Sequence, residues 1–515
     1  MKLIDLVPIP VLNAIVRYKL RDSHNFYNFM LANDPETLEH LGERKVIQTF
    51  QRAAERIPAY KKLISKAIQH GAVKDIVSLQ QFKAVVPVID KASYIRKANK
   101  ISDLCVDGTL DQADMIVRSS GFTGEPTTWI RSKQEEQLAT TMASFQFDIL
   151  FEGKSKKTLV LDCFALGSWV SGMDLFRVLS GNYTITTPGL DIEDALGTIK
   201  TIGENFQQIV LAGTPTMLMV LIEQGKKVLD WRKYEVKLLT GGEGFSEGWR
   251  EQVYKLLRQK RKKGKHGAYS VFGASDLGVT GVSETDFSIE IRKYAEKNKR
   301  FCKEVFGTSD PPMLFQYDPT TYFVETNDQG EMIFTTCREE ALMPLIRYNI
   351  HDLGGIISHN DMGQFIRRYH AGLDIELPLP FLYVKGRSDG GIQFCASEIS
   401  PLMIQNLAYH NPYLKNNLTG HFKMFVDDGP NKQPRCNFHF QFKKGKNKNN
   451  AKLQEQDVSV IIEDTLYALN EDFRSNIKML RKHRKGKTLF QVRLFTFEKY
   501  PYQDDELKAH YTLKK

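Results

Sequence analysis

Apolar side chains recur at helical spacing early in the chain. Within residues 36–100, the segment LGERKVIQTFQRAAERIPAYKKLISKAI places apolar residues three or four positions apart. This period gives a helix one apolar face. We therefore predict that residues 36–100 are largely helical.

From residue 115 onward, short apolar runs are followed closely by Gly, Ser, Thr or Pro. Examples are KTLVLDCF (157–164), QIVLAGTP (208–215) and VKLLTGGE (236–243), with helix-like stretches between them. This alternation is typical of βα units around a largely parallel sheet, in which functional residues lie at the carboxyl ends of the strands.

Residues 312–358 follow another pattern, in which the segments MLFQYDP, YFVETN, EMIFTTC and PLIRYN lie close together and NDQG marks a turn. Such spacing predicts an antiparallel, barrel-like section. After KGRSDGG (385–391), new helices and strands begin. We predict an α/β fold with a large N-terminal domain of βα-layered sheets (1–388) and a small α+β C-terminal domain (389–515).

The composition fits this organisation. A chain of 515 residues exceeds what one hydrophobic core usually supports, and its hydrophobic (42%) and charged (26%) fractions are those of a globular protein. Of the 71 basic and 61 acidic residues, residues 401–515 hold 21 and 12, so this segment carries most of the net charge of +10. Because no aromatic interleaving or known module accompanies that charge, we expect an anionic small molecule as partner, and no nucleic acid.

Cysteine usage and the N-terminus indicate the compartment. The six cysteines are scattered without a CxxC pair, which argues against a disulfide framework or a structural zinc site. The opening MKLIDLVPIPVLNAIVRYKLR carries Asp5 and two prolines, unlike a cleaved signal, and no apolar run approaches the length of a spanning helix. We expect a cytoplasmic protein without stable membrane insertion.

The segment VRSSGFTGEPTTW (117–129) is small and rich in hydroxyl groups. Its glycines allow backbone N–H groups to converge on an anion, and its Ser and Thr side chains add donors. The residues concerned are Ser119, Ser120, Gly121, Thr123 and Gly124. The P-loop motif GxxxxGK[ST] is absent, so this segment is either a phosphate loop of another class or a surface loop.

Four further segments could form a nucleotide site. In LLTGGEGFSEGW (238–249), Gly242 and Glu243 follow a strand, where bare backbone can face a flat ring or simply form a tight turn, and a helix is predicted from about Ser246. In AYSVFGASDLG (268–278), the carboxylate of Asp276 next to the Ser275 hydroxyl suits Mg²⁺. Phe272 and Gly273 precede them in the same segment and are also candidate nucleotide-binding residues.

The last two segments surround the predicted domain boundary. In PLIRYNIHDLGG (344–355), Asp352 could accept hydrogen bonds from two ribose hydroxyls, and Arg347 is a structural residue or a phosphate partner. KGRSDGG places Arg387 at the boundary and Asp389 at a plausible hinge, because the adjacent glycines tolerate large backbone rotations.

Taken in order, these motifs resemble the adenylate-forming superfamily of acyl- and aryl-coenzyme A ligases. The likeness is greatest to the phenylacetate–coenzyme A ligase branch, which includes CapK-like capsule proteins. SSGFTGEPT is similar to its SSGTTGKPT loop, GGE (241–243) to its adenine segment, FGASD (272–276) to YGxSE, PLIRYNIHDL to PxIRYRTxDL, and GRSD (386–389) to GRxDD. The resemblance covers about residues 45–400.

The resemblance implies a chemistry and a set of roles. A carboxylic acid would attack the α-phosphate of ATP with Mg²⁺, and an acceptor, by family default coenzyme A, would then displace AMP. A carrier protein or an amine would also suit the basic C-terminal domain. The implied roles are phosphate binding at Ser119, Ser120, Gly121, Thr123 and Gly124, adenine binding at Gly242 and Glu243 with Phe272, Gly273 and Ser275 beside it, metal binding at Asp276, ribose binding at Asp352 and Arg387, and a hinge at Asp389.

The sequence also departs from the branch. Phe122 replaces a hydroxyl residue, Glu125 replaces a common lysine, and Asp276 is shorter than the usual Glu. The family's C-terminal catalytic lysine has no clear counterpart; Lys508 and Lys514 are the candidates. A nucleotide-binding protein that has lost catalysis is therefore a second hypothesis.

Three further residues carry side chains that could take part in chemistry. His266 and His351 could serve as bases, although a solvated or packing role is the commoner fate of such histidines. Cys163 lacks an identifiable base, so the segment LDCFALGSW (161–169), with Phe164 and Trp169, is predicted to line the acyl pocket instead. The sequence leaves the acid and the oligomeric state open, although dimers are common in the branch.

Overall fold

The computed structural model describes residues 7–20, 23–68, 73–119, 127–166, 170–259, 265–278, 280–308, 310–388, 390–395, 397–399, 401–429, 432–469, 473–474, 476–477, 489–497 and 499. Within these ranges, every helix is too short or too polar to cross a membrane.

The helices follow the predicted distribution. They are α1 (Ile9–Leu20), α2 (Ser23–Ala32), α3 (Pro35–Arg56), α4 (Pro58–Ala67), α5 (Leu79–Val85), α6 (Lys133–Phe151), α7 (Val170–Leu179), α8 (Ile192–Ile202), α9 (Pro215–Gly225), α10 (Glu247–Leu257), α11 (Asp286–Lys297), α12 (Lys299–Phe306), α13 (His359–Arg368), α14 (Pro401–His410), α15 (Pro412–Asn417), α16 (Lys448–Ala451) and α17 (Glu455–Leu469). The helical prediction for residues 36–100 is confirmed by α3, α4 and α5.

The strands alternate with these helices. They are β1 (Ala113–Ser119), β2 (Thr127–Ser132), β3 (Thr158–Asp162), β4 (Thr184–Thr186), β5 (Gln208–Gly213), β6 (Val236–Thr240), β7 (Ala268–Phe272), β8 (Val282–Ser283), β9 (Met313–Gln316), β10 (Tyr322–Thr326), β11 (Glu331–Thr336), β12 (Tyr348–Ile357), β13 (Phe381–Arg387), β14 (Ile392–Phe394), β15 (Ser397–Ile399), β16 (Leu418–Asp428), β17 (Pro434–Phe442) and β18 (Phe490–Phe495).

One large sheet organises the N-terminal region. Its order among the described strands is β10-β11-β12-β13-β9-β8-β7-β6-β5-β3-β4, and β7, β6, β5, β3 and β4 are parallel. Every residue of β3 and β5 is buried, as expected for parallel strands covered on both faces by helices. The predicted α/β fold is therefore confirmed.

The section from β8 to β13 is antiparallel, as the sequence predicts, and it continues the same sheet. β12 begins at Tyr348, so Pro344–Arg347 precede the strand. This arrangement brings the polar ends of β7, β12 and β13 close to one another, and these ends carry three of the five predicted motifs.

A buried ionic cluster joins the elements behind the predicted adenine segment. Arg250 and Arg292 both contact Glu247 and Glu284, at 2.8 to 3.1 Å. All four side chains are almost fully buried. Burial alone would disfavour these charges, but the opposing partners hold the pKa of Glu247 down to about 2. The cluster fixes α10, α11 and β8 to one another.

The C-terminal segment forms its own small sheet. β16 and β17 are antiparallel, β18 is parallel to β17, and α17 packs beside β18. The hairpin end of β16–β17 reaches back to the N-terminal region, where Ser246 Oγ donates to Asp428 and Gln433 Nε2 donates to Glu223 at 2.7 Å. The proposed domain limits of 1–388 and 389–515 stay predictions.

Candidate active site

The hydroxyl-rich segment lies between two antiparallel strands. Ser119 ends β1 and pairs with Thr127 at the start of β2, and its side chain is buried. The remaining residues predicted to bind phosphate, Ser120, Gly121, Thr123 and Gly124, and the departures Phe122 and Glu125, lie outside the described residues. Only the first residue of the predicted loop, and the strands that hold it, are therefore placed.

Lys91 is a residue at this site that sequence reasoning missed. Its Nζ lies 3.3 Å from Oδ1 of Asp276 and 3.4 Å from Oγ of Ser119. It also lies over the ring of Trp129, 5.8 Å from the ring centroid. One ammonium group thus connects the phosphate segment to the predicted metal carboxylate. A single lysine in a polar turn has no sequence pattern, so only the folded structure identifies it.

Both oxygens of Asp276 have partners. Oδ1 faces Lys91, and Oδ2 accepts a hydrogen bond of 2.6 Å from the Tyr348 hydroxyl. Burial, together with the neighbouring Asp276 carboxylate, raises the pKa of Tyr348 well above its usual value, so the phenol stays a donor. Tyr348 is the first residue of β12, and this bond ties the end of β7 to β12.

These residues do not fit a resident Mg²⁺ ion. Mg²⁺ requires several oxygen ligands in near-octahedral geometry. Here one carboxylate is available and an ammonium group already faces it. Within the described residues, no cluster of three or more His, Cys, Asp or Glu side chains could hold a metal ion.

The predicted adenine segment leaves β6 as expected. Gly242 has φ of 78°, a left-handed conformation that glycine adopts without strain. Glu243 is buried, and its Oε2 accepts from Thr216 N (3.2 Å) and Thr216 Oγ1 (2.7 Å) in the first turn of α9. The carboxylate therefore holds the loop against α9. The predicted helix start is confirmed, because Ser246 caps α10.

The neighbouring loop leaves β7 at Phe272. The Phe272 ring packs near Phe315 and Phe334, with centroids 5.8 and 6.4 Å away. Gly273 is exposed and Ser275 is half-buried. Because β6 and β7 are adjacent and parallel, both predicted nucleotide loops leave the same edge of the sheet.

Asp352 and Arg387 lie opposite each other on β12 and β13. Arg387 Nη1 is 3.4 Å from Asp352 Oδ1, and Arg387 Nε is 2.8 Å from Oε1 of Glu398 on β15. The two residues predicted to bind ribose are thus neighbours in the fold, and their role in ribose binding stays a prediction. The guanidinium also connects β13 to the first hairpin after the predicted boundary. Asp389, the predicted hinge, lies outside the described residues.

Next to this pair lies a polar network that sequence reasoning missed. His351 places Nε2 3.2 Å from Oδ2 of Asp90 and Nδ1 3.3 Å from Oε1 of Glu331. Glu331 also accepts from Ser388, Asn327 and Asn349. Burial opposes ionisation of Glu331, but these hydrogen bonds lower its pKa to about 2. His351 is therefore a linking residue between the boundary and the residue preceding Lys91.

Arg347 has a structural role. Its Nε contacts Glu325 at 2.6 Å, and its Nη1 donates to the carbonyl oxygens of Lys83 (2.8 Å) and Val86. The Arg347 carbonyl accepts from Ile89 N at 2.9 Å. The arginine therefore fastens residues 83–89 to the sheet, and of the two roles left open by the sequence, the structural one is observed.

His266 also has a packing role. It is buried, and its Nε2 lies 2.6 Å from Glu290 Oε1. Burial and the nearby Lys293 and Arg250 lower the pKa of His266 to about 4. It is consequently neutral at physiological pH and lies away from the contacts described above.

The first part of the segment predicted to line the acyl pocket, residues 161–164, is buried at the end of β3. Cys163 is fully buried, and burial raises the pKa of its thiol, which disfavours a nucleophilic thiolate. The Phe164 ring lies beside Gly241, where an added Cβ would come within 3.6 Å of Cζ. Trp169 lies outside the described residues, as do Lys508 and Lys514.

Sequence reasoning did not identify Asp162, which precedes Cys163, as a candidate site residue. It is fully buried; Oδ1 accepts from Phe164 N at 3.1 Å, and Oδ2 has no hydrogen-bond partner among the described residues. Burial raises the pKa of Asp162 to about 7, against the weaker effect of the Phe164 hydrogen bond. The end of β3 thus contains a buried carboxyl group whose pKa is raised far above its ordinary range.

Comparison with known proteins supports the fold. No protein-family model matches the sequence, and no curated protein is detectably similar to it. A 2-hydroxyisobutyryl-CoA ligase in complex with 2-HIB-AMP and CoA in the thioesterification state superimposes with a TM-score of 0.59 at 13% identity, over 93% of this chain and 89% of that chain. The same ligase in the postadenylation state gives 0.51 at 14% identity, over 92% and 88%.

In an open conformation, that ligase gives a TM-score of 0.50 at 14% identity, over 96% of this chain and 92% of that chain. At such identities the likeness establishes the fold alone. The chain therefore has the fold of adenylate-forming enzymes along most of its length, as the sequence motifs predict.

Proposed function

We propose that the protein is an ATP-dependent ligase that activates a carboxylic acid as an acyl-adenylate and transfers the acyl group to coenzyme A. The observation that carries the proposal is a convergence of segments that are far apart in sequence. Lys91 contacts both Ser119 and Asp276, and Asp276 accepts a hydrogen bond from Tyr348. Asp352 and Arg387 pair on neighbouring strands. The order of the motifs and the shared fold support the same conclusion.

In this proposal, each segment binds a different part of the substrate. The backbone of Gly241–Glu243 and the Phe272 loop would face adenine, Asp352 would accept the ribose hydroxyls, and the segment after Ser119 would receive the phosphates. The substrate carboxylate would attack the α-phosphorus and release pyrophosphate. The acceptor would then attack the acyl carbon and release AMP. Mg²⁺ would accompany ATP as substrate.

Two alternatives concern the acceptor and the first step. The basic residues of 401–515 suit the phosphates of coenzyme A, but an acidic carrier protein or an amine is also compatible with them. A nucleotide-binding protein without adenylation activity is favoured by Glu125 in the phosphate segment and by the Lys91–Asp276 ion pair. These alternatives predict different products.

Trapping with hydroxylamine tests the first half-reaction. The protein is incubated with ATP, Mg²⁺, hydroxylamine and one acid at a time from aromatic, fatty and amino-acid panels. Hydroxamates should form from the acids of one class. In a second set of reactions, coenzyme A or an amine replaces hydroxylamine. Mass spectrometry of the acylated product should then identify the acceptor. Formation of an amide instead of a thioester would favour the amide-forming alternative. Nucleotide binding without any hydroxamate would favour the non-catalytic one.

A substitution at Asp352 tests the ribose assignment. Asp352→Ala removes the proposed acceptor of two hydroxyl hydrogen bonds, so hydroxamate formation at limiting ATP should fall about tenfold to a hundredfold. Asp374→Ala removes an exposed carboxylate and is the matched control. If Asp352→Ala reacts as fast as Asp374→Ala, the ribose assignment is wrong.

A further inference from the structure

The position of Lys91 assigns this residue a role that the motifs do not contain. Its side chain is three-quarters buried, and its Nζ lies within 3.4 Å of both Ser119 Oγ and Asp276 Oδ1. An ammonium group has three N–H donors, and both neighbours are oxygen acceptors. A fixed positive charge is thus present where the phosphate segment begins.

The backbone on the N-terminal side of Lys91 is held firmly. Ile89 N donates to Arg347 O at 2.9 Å, and Asn349 N donates to Ile89 O at 2.7 Å. Asp90 N donates to Ser93 Oγ, and Asp90 Oδ1 accepts from Ser93 N at 2.6 Å. The Lys91 stem can therefore change rotamer while its Cα stays in place, which is the behaviour expected of a lysine that binds a polyanion.

The chemistry of the phosphate segment creates a need for this charge. The segment contains no lysine, and the charge of its one basic residue, Arg118, is balanced by Glu125. Because the segment carries no net positive charge, a triphosphate bound there would need a cation from another part of the chain. Lys91 lies outside the segment and contacts Ser119, the first residue of the predicted loop.

We propose that Lys91 is the cation that binds the phosphoryl oxygens of ATP during adenylation. This inference rests on the proposed function. The substrate carboxylate oxygen forms a bond to the α-phosphorus while the bond from that phosphorus to the bridging oxygen of the β-phosphate breaks. The electron pair departs with pyrophosphate, and Lys91 remains protonated throughout. Its charge stabilises the negative charge that accumulates on the non-bridging and leaving oxygens.

Nucleotide binding and turnover of Lys91→Met test the proposal. Calorimetric binding of α,β-methylene-ATP, measured both with Mg²⁺ and in EDTA, should weaken about tenfold to a hundredfold in both conditions, the loss expected for one charge-assisted contact. Lys91→Arg should retain most of the affinity. Lys97→Met, which removes an exposed lysine from the following turn, should bind like the unaltered protein.

A double variant separates phosphate binding from a purely structural ion pair. If Lys91 served only to neutralise Asp276, adding Asp276→Asn to Lys91→Met would restore the lost affinity, and that recovery would overturn the proposal. Equal affinity of Lys91→Met and Lys97→Met would also overturn it. If Lys91→Met does not fold, the Lys91→Gln variant in the same assay decides the question.

The two proposals fail in distinguishable ways. If the unaltered protein binds the ATP analogue but forms no hydroxamate with any acid, the proposed ligase function fails. The comparison of Lys91→Met with Lys97→Met still tests whether Lys91 binds the phosphates. If hydroxamate forms at the same rate and with the same KM for ATP in Lys91→Met, the ligase proposal stands and the Lys91 inference fails.

Discussion

At the scale of single residues, Asp162 gives the clearest dependence on pH. Its folded-state pKa is raised to about 7 from an ordinary value of 3.8. The unfolded chain therefore releases this proton at a lower pH than the folded protein does. The contribution of Asp162 to stability is fully present below about pH 4 and is lost as pH rises through about 7.

We expect Asp162→Asn to remove this dependence. At pH 8 the variant should be more stable than the unaltered protein by on the order of 2 to 4 kcal/mol, and the difference should shrink below about pH 5. Calorimetric unfolding of both proteins across this range measures the difference, with Asp374→Asn as the exposed control. A pH-independent difference would show that Asp162 is ionised in the folded protein.

Residue chemistry could be predicted from sequence where it follows a local pattern. The Ser246 cap and the glycine at 242 are recognisable because a turn or a helix start requires them. Lys91, Glu331 and Asp162 could not be found in this way. Lys91 and Glu331 owe their surroundings to contacts between separate segments, such as that of Lys91 with Asp276, and Asp162 owes its surroundings to burial within the sheet.

At the scale of elements, the fastening of residues 83–89 to β12 controls the position of Lys91. Arg347 provides this link through its side chain and its carbonyl group. Its partner Glu325 is itself buried, with only 8% of its side chain exposed. Loss of the guanidinium would leave that carboxylate with the more distant Lys83, at 3.6 Å.

Arg347→Ala should therefore lower both stability and nucleotide affinity. Removing one member of a buried ion pair costs about 3 to 5 kcal/mol, and a loosened 83–89 segment would displace Lys91. Arg347→Lys keeps the charge but cannot donate to two carbonyl groups and Glu325 together, so an intermediate loss is expected. Calorimetry with and without α,β-methylene-ATP measures both effects. Full nucleotide affinity in a destabilised Arg347→Ala would show that the segment and the site are independent.

Strands with strong local patterns could be predicted from the sequence. Which strands pair with each other could not. The apolar runs that became β3, β5 and β6 identify parallel strands by composition alone. The position of β13 between β12 and β9 depends on pairing between distant segments, as does the meeting of the antiparallel and parallel sections at β7. Local sequence does not encode such pairing, because loop closure and tertiary packing select it.

At the scale of the whole molecule, the N-terminal region and the C-terminal sheet are in direct contact. The C-terminal sheet contacts the N-terminal region through Asp428 at the cap of α10 and through Gln433 at α9. The Ser246–Asp428 contact follows the predicted adenine segment closely in the chain, and the Arg387–Glu398 pair lies at the predicted boundary. We expect the basic C-terminal segment to take part in the second half-reaction, when the acceptor arrives.

The fold of the whole chain was predictable because five motifs keep their order over about 270 residues, from Val117 to Asp389. The catalytic competence of the site was not, since the phosphate segment departs from the family pattern and the C-terminal lysines lack the expected context. The Lys91–Asp276 pair adds a feature that either compensates for these departures or reflects lost catalysis.

The most direct test of this account is pyrophosphate exchange. The purified protein is incubated with ATP, Mg²⁺ and radiolabelled pyrophosphate, with each acid of the panel in turn, and label in ATP is counted. We predict incorporation that depends on one class of acid, is retained in Asp374→Ala and falls about tenfold or more in Asp352→Ala. Nucleotide binding without acid-dependent exchange for any acid would contradict the claim that this fold still forms acyl-adenylates.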